Sequence, residues 1–259
     1  MISIKSPFKI KKTMQIDELI ILPCHSIWRP KSNQSCGETP DEWFLASFQR
    51  DGHDHLCFVD HIKKSFIALK QNPNAILVIS GGQTKAEAGP ISEAFSYYDL
   101  AKRLIDECDG DLFERVFLEE YARDSFENVL FLFCRYYEIV ERYPKQVTVV
   151  GFEFKRTRFV EYHFADALKF TGKVNYIGNW PTPGPGIDHD AYFADLHLSE
   201  KKNALDHFAS DPFGHKEFLD AKKKLRDPFK RYHGYESSNK RVADFLEVIR
   251  TVGRMTPDR

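Results

Sequence analysis

Four short polar stretches and one histidine hold the side chains that could do chemistry in this sequence. The first stretch is Ser80-Gly81-Gly82-Gln83-Thr84. Glycine lets a backbone come close to a ligand, so this turn reads as one that holds an anion or polar ligand through main-chain N–H groups. A tight strand exit would need the same glycines. The stretch lacks both G-x-x-x-x-G-K-[ST] and G-x-G-x-x-G, which excludes a P-loop and the dinucleotide fingerprint. The second stretch is Ser92-Glu93. Serine caps helices and an acid in the first turn complements the helix dipole. Equally, Glu93 could face a ligand as a base or a hydroxyl-binding carboxylate. The third runs from Glu119-Glu120 through Asp124-Ser125-Phe126-Glu127-Asn128. Asp124 and Glu127 have capping-box spacing, which leaves Glu120, Arg123, Ser125 and Asn128 as polar groups. Asn128 lies in the first turn of an otherwise apolar helix and must find partners there. The fourth, Gly151 to Arg158 (GFEFKRTR), sets Lys155, Arg156 and Arg158 at a helix start, where cations oppose the dipole. That conflict predicts an anionic partner, either Glu119 or Glu120 or a bound phosphate or carboxylate. A charge-assisted hydrogen bond is worth roughly 1.5–3 kcal/mol and outweighs the dipole. His25 is a candidate general acid–base group or ligand contact. The candidate catalytic groups are therefore His25, Glu93 and Glu120. The candidate ligand contacts are Ser80, Gly81, Gly82, Gln83, Thr84, Ser92, Ser125, Asn128, Lys155 and Arg158. There is no H-E-x-x-H and no spaced histidine triad, so no metal site is predicted. There is no G-x-S-x-G serine elbow either.

Regular elements must bring these stretches together. Apolar runs predict strands over 18–23, 75–80, 115–118, 146–150 and 173–177. Helical spacing predicts helices over 42–49, 53–70, 92–107, 124–142 and 156–169. Alternating strands and helices imply parallel βαβ units. The expected fold is α/β: a Rossmann-like, three-layer, doubly wound, mostly parallel five-stranded sheet with extra C-terminal helices. The carboxyl ends of its strands would gather His25, Gly81 to Thr84, Glu119-Glu120, Gly151 to Arg158 and Asn179 along one edge, where ligands bind. A Pro/Gly loop follows at 178–190. Helices are expected over 191–208, 212–224 and 239–250, and the last two are joined by the basic-aromatic stretch RDPFKRYHGY, 226–235. One domain is expected over 1–259, with a core at 17–180 and an extension at 181–259.

Composition narrows the function. With 37 Lys+Arg against 38 Asp+Glu, the net charge is -1. Nothing global favours nucleic acid, so a nucleic-acid partner is not expected. The five cysteines are scattered and never in a C-x-x-C pair, which suits a reducing compartment. No run approaches the roughly 18 apolar residues of a membrane span, so no membrane partner is expected and a cytoplasmic location is. The basic start MISIKSPFKIKKT has no signal-peptide h-region. It has no acid before Asp17, the one feature that suits a mitochondrial presequence, but no arginine.

Taken in order, these motifs resemble a known family. A strand ends in SGG (80–82) and SEA (92–94) opens a helix. An acid at a strand end precedes S-x-E-N (125–128), and a later strand is followed by a basic residue, x-x-R (155–158). This is similar to the domain-of-unknown-function 218 family, which includes the bacterial YdcF-, SanA- and ElyC-like proteins. The match covers roughly residues 17–180. ILPCHSIW and RDPFKRYHGY look like its eukaryotic, fungal-type branch. The resemblance implies a Rossmann-like fold and a site of Gly81, Gly82, Ser92, Glu93, Glu120, Ser125, Asn128, Lys155 and Arg158. S-adenosylmethionine binding has been proposed for YdcF-like relatives, so that molecule is the cofactor the resemblance suggests. Bacterial relatives commonly carry Thr-Ser-x-x-His-x-x-Arg after the fourth strand. Here Arg158 is kept, Lys155 replaces the histidine and the hydroxyl pair is gone. Lysine holds an anion but shuttles protons poorly at neutral pH unless its pKa falls.

The expected function is binding of a small anionic molecule, such as a nucleotide, S-adenosylmethionine or a phosphate ester. Hydrolysis and group transfer both fit the residues. The alternatives are a non-catalytic nucleotide or S-adenosylmethionine sensor, and a scaffold that uses 226–235 as a docking surface.

Overall fold

The computed structural model describes residues 15–252. The basic stretch 1–13 lies outside the described residues. Five strands form one sheet: β1 (Glu18–Pro23), β2 (Ala75–Ser80), β3 (Val116–Glu119), β4 (Gln146–Phe152) and β5 (Lys173–Asn179). Every pairing is parallel, and the order is β3-β2-β1-β4-β5. The sheet is thus fully parallel, where a mostly parallel one was expected. Its order reverses between β1 and β4, so the topological switch point lies there.

Strand alternation feeds two apolar layers. Ile20, Leu22, Leu77, Ile79, Val150 and Phe152 face α1 (Asp54–Gln71) and α2 (Glu93–Leu104). Leu19, Ile21, Ile76, Val78, Val147 and Val149 face the opposite layer, built from α3 (Ser125–Val140) and the π-helix Arg158–Ala167. Parallel strands buried on both faces need such continuous apolar runs.

A third layer covers the far side of α3. α4 (His189–Glu200) continues through Lys201–Leu205 into α5 (Asp206–Ser210), and α6 (Glu217–Leu225), α7 (Tyr235–Ser238) and α8 (Ala243–Val252) follow. Phe208, Leu219, Tyr235, Leu246 and Ile249 pack on Phe126, Leu130, Phe131 and Cys134 of α3. This explains why α3 is apolar beyond one face: it is sandwiched between sheet and extension. No described helix is long and apolar enough to cross a membrane.

The helix expected over 42–49 is absent. Pro40–Glu42 and Ser47–Gln49 form single 3₁₀ turns, and Trp43 bridges Trp28 in antiparallel fashion. Specific polar contacts override the helical spacing. Trp28 Nε1 and the Gly37 N–H both donate to the Glu42 carboxylate, at 2.9 and 2.8 Å, and Trp43 Nε1 donates to the Gly37 carbonyl. The helix expected over 156–169 is a π-helix over 158–167.

Candidate functional site

The first two polar stretches fold into one another. Gly81 N–H donates to the Glu119 carbonyl and Gly82 N–H to the Ala122 carbonyl, at 3.0 and 2.8 Å. The Gly82 and Gly81 carbonyls in turn accept from the Glu93 and Ala94 N–H groups that open α2, and Ser92 Oγ accepts from Phe95 N–H. The glycine turn and the α2 start therefore satisfy each other. This corrects the expectation that main-chain N–H groups of Gly81 and Gly82 hold a ligand, because those donors are used. The glycines are required sterically: a Cβ on Gly82 would lie 2.9 Å from the Ala122 carbonyl oxygen, and one on Gly81 2.7 Å from Glu93 Oε2.

The side chains around that turn form two internal networks. Ser80 Oγ lies 2.7 Å from Glu119 Oε2 and 2.9 Å from Asn128 Oδ1. Its single proton serves one of them, and turning the Asn128 amide so that its NH₂ faces Ser80 satisfies the trio. Glu119 also accepts from the Tyr121 and Ala122 N–H groups and from the Tyr235 hydroxyl. Burial pushes its carboxyl up to about 7. In the second network Ser92 Oγ donates to Glu120 at 2.7 Å, and Thr84 Oγ1 donates to Glu93. Burial raises the Glu93 carboxyl, with Thr84, Arg226, Lys85 and Lys155 acting the other way. Gln83 Nε2 reaches the Pro90 carbonyl, away from these groups.

Titratable side chains gather instead at the switch point. His25 leaves β1 and Lys155 leaves β4, and Lys155 Nζ lies 3.5 Å from His25 Nδ1. His25 packs against Phe58, His61 and Phe152, and its Nε2 is buried with no partner among the described residues. Burial, reinforced by Lys155, His61 and Arg158, holds its pKa well below the usual range, so it is neutral. Burial and the Arg158 charge also bring the Lys155 ammonium down to about 8. Lys155 lies over the Phe152 and Phe154 rings and makes no ion pair among the described residues. Asp54, at the start of α1, belongs to the same field: burial raises it to about 7 and Lys155 pulls against that shift.

Arg158 is not available in the same way. Its Nε and Nη2 lie 3.0 and 3.1 Å from Glu200 Oε1 and Oε2. The anionic partner predicted for the basic helix start is thus internal, but it is Glu200 of α4 and neither Glu119 nor Glu120. Arg156 pairs with the neighbouring Glu153 on the surface. Ser125 sits apart from the Ser80–Asn128 trio, its Oγ 2.8 Å from His163 Nε2.

The stretch 226–235 lies over this edge of the sheet. Arg231 donates to the Glu120 carbonyl, Asp227 pairs with Arg123, and the Tyr235 hydroxyl reaches Glu119. The exposed Arg226 acts electrostatically on His25, Glu93 and Lys155. Among the described residues no group of three or more His, Cys, Asp or Glu side chains is arranged to hold a metal ion.

Comparison with known proteins finds a relative of nearly the same extent. The chain is 35% identical over 261 residues to the Saccharomyces cerevisiae "Uncharacterized protein YOR238W", across 84% of this chain and 86% of the yeast protein. The chain belongs to the YOR238W family. No family model matches it, and no solved structure does.

In this YOR238W-family chain, Asp54, His61, His163, Glu200 and Arg226 join the site from outside the predicted set. Arg226 had a signal, since it opens the basic-aromatic stretch. Asp54 had a weaker one, as an acid beside two histidines at a helix start. Glu200 had none: it is one acid on a polar helix, 42 residues from its partner.

Proposed function

We propose that this chain binds a small anionic molecule, a nucleotide or other phosphate ester, in the crevice between the carboxyl ends of β1 and β4. The observation that carries this reading is Lys155, a half-buried cation beside neutral His25 with no ion-pair partner among the described residues. Burying an ammonium that makes no direct ion pair is costly. Arg158 and Arg226 increase that cost, and the more distant carboxylates of Glu200 and Asp54 offset part of it. An anion placed against Lys155 offsets these terms at once. The switch point of a parallel sheet is also where ligands of such folds bind.

The resemblance to the domain-of-unknown-function 218 family supports the same place, since Lys155 and Arg158 fall in the motif that carries it. S-adenosylmethionine is the cofactor this resemblance suggests. The N–H groups of Gly81 and Gly82 are already used, so its carboxylate would rest on Lys155. Neutral His25 and the raised Asp54 are the groups that would move protons if the ligand is turned over, by hydrolysis or by group transfer. The stretch 226–235 docks on its own chain, which supports a cover for the site over a scaffold surface.

Calorimetric titration with inorganic phosphate and with AMP tests the reading. Lys155→Met is expected to weaken binding about 10–100-fold, the equivalent of one charge-assisted hydrogen bond. Arg226→Ala is expected to weaken it less, because Arg226 is exposed. Unchanged affinity in both variants, with both folded, overturns the site. Saturable binding without turnover assigns the chain to the sensor alternative.

A further inference from the structure

A second pair of side chains has the geometry of an activated nucleophile. Ser125 is the first residue of α3 and is half-buried, and its Oγ lies 2.8 Å from His163 Nε2. His163 is fully buried on the π-helix Arg158–Ala167. Three rings fix its imidazole: Phe126, Phe159 and Phe208, at centroid distances of 5.8, 5.6 and 4.6 Å. Its other nitrogen, Nδ1, is buried and has no partner among the described residues.

Buried ring nitrogens without a partner recur among the described residues, on His25, His55, His61 and His215 as well; what sets His163 apart is the serine hydroxyl within hydrogen-bond reach of its other nitrogen. A buried ring nitrogen without a partner is destabilising. A phenylalanine or leucine would fill this aromatic cage without that penalty. The local backbone agrees: π-helical turns are frequent at functional sites, and the Leu168 N–H donates to the His163 carbonyl in the i→i+5 pattern. Burial, with the Arg158 charge adding to it, holds the His163 pKa well below the usual range. The ring is therefore neutral, and with its proton on Nδ1 the Nε2 lone pair faces the Ser125 hydroxyl.

We propose that Ser125 and His163 are the nucleophile and general base of an acyl transfer from a small carboxylic ester that carries an anionic group. The anionic group rests on the function proposed above; the pair itself does not. Ser125 Oγ attacks the ester carbonyl carbon while its proton passes to His163 Nε2. The carbonyl carbon–alkoxy oxygen bond then breaks, and the departing alcohol takes the proton from Nε2. Water repeats the sequence on the acyl-serine, giving its proton to Nε2, releasing the acid and restoring Ser125. The imidazolium formed in passing is disfavoured by burial, and the negative charge of the tetrahedral oxyanion offsets this.

A fluorophosphonate probe tests the pair without knowledge of the substrate. Serine oxygen displaces fluoride from phosphorus, and the adduct is read by intact and peptide mass spectrometry on the full chain. One adduct per chain is expected, on the peptide that contains Ser125. Ser125→Ala should abolish it, and His163→Gln should slow labelling at least 100-fold, the lower end of what a general base supplies. Should His163→Gln not fold, the pH profile of the unaltered protein decides. With His163 as base the rate stays level from pH 8 to below 6.5, because Nε2 remains unprotonated. Without it the rate follows hydroxide and falls tenfold per pH unit. Absence of an adduct, an adduct that survives Ser125→Ala, or the tenfold slope overturns the proposal. The phosphate titration of the Lys155 variant is independent of all three, so failure of the pair and failure of the binding site are distinguishable.

Discussion

Replacing Glu200 by glutamine keeps the side-chain shape and removes the charge that answers Arg158. The pair is well buried, with side-chain exposures of 13% for Arg158 and 7% for Glu200. Its surroundings are cationic: Arg158 acts repulsively on both Lys155 and Lys222, and Glu200 favours the charged form of both, with Asp54 adding to it at Lys155. Removing one partner of a buried pair typically costs about 3–5 kcal/mol, because the other charge is left stranded. The cationic neighbours place Glu200→Gln in the upper half of that range. For a chain of this size each kcal/mol moves the melting temperature by roughly 2–4 °C, so a fall of roughly 8–20 °C is expected. Urea unfolding followed by circular dichroism should show a lower midpoint with an unchanged slope. The double replacement Arg158→Met with Glu200→Leu should recover most of the loss, since an apolar pair carries no desolvation cost. Inorganic phosphate should stabilise Glu200→Gln more than the unaltered protein, because the variant frees Arg158 for an anion. A loss below about 1 kcal/mol, the value of a solvent-screened pair, would refute the reasoning and return Arg158 to the ligand contacts.

Three further outcomes follow from the same geometry. Because Lys155 loses its proton near pH 8, affinity for sulfate, whose own charge is constant, should fall as pH rises from 7 to 9; level affinity would detach Lys155 from the site. Glu119 titrates near 7 when folded and near 4.3 when unfolded, so its folded pKa is raised and stability falls as pH rises between those values. The loss is roughly 3–4 kcal/mol by linkage, and Glu119→Gln should flatten the difference between urea midpoints at pH 5 and pH 8. A Cβ at Gly82 meets a backbone carbonyl that cannot yield, so Gly82→Ala should cost about 1–3 kcal/mol. Gly110→Ala, with nothing within 4 Å, should be close to neutral in the same thermal scan.

The sheet was readable because its strands are apolar on both faces, so short runs such as Ala75 to Ser80 and Glu18 to Pro23 announce themselves. The segment 42–49 misled because Glu42 and Trp43 are committed to Trp28 and Gly37, contacts that spacing does not encode. Gathering His25 and Lys155 at one edge followed from strand order alone. Their 3.5 Å approach follows from loop geometry and could not be read. Ser92, Glu93 and Glu120 were placed correctly at strand and helix ends, but the sequence could not distinguish side chains that face a ligand from those that satisfy one another. His163 was invisible as a partner for Ser125, since 38 residues separate them and nothing local marks the histidine.

The backbone exchange between the end of β2 and the start of α2 reaches beyond the site itself. Gly82 carbonyl to Glu93 N–H, and Gly81 carbonyl to Ala94 N–H, close the base of the segment 83–92 like a clasp. Thr84 and Ser92, near its two ends, stay tied to Glu93 and Glu120, and the stretch 85–91 between them loops away from the sheet edge. Changes of length around Ala86–Ala88, an exposed turn with Gly89 beside it in a left-handed conformation, need not move Glu93 or the glycines. The stretch 85–91 can therefore change in length and composition while the clasp and the α2 cap stay as they are.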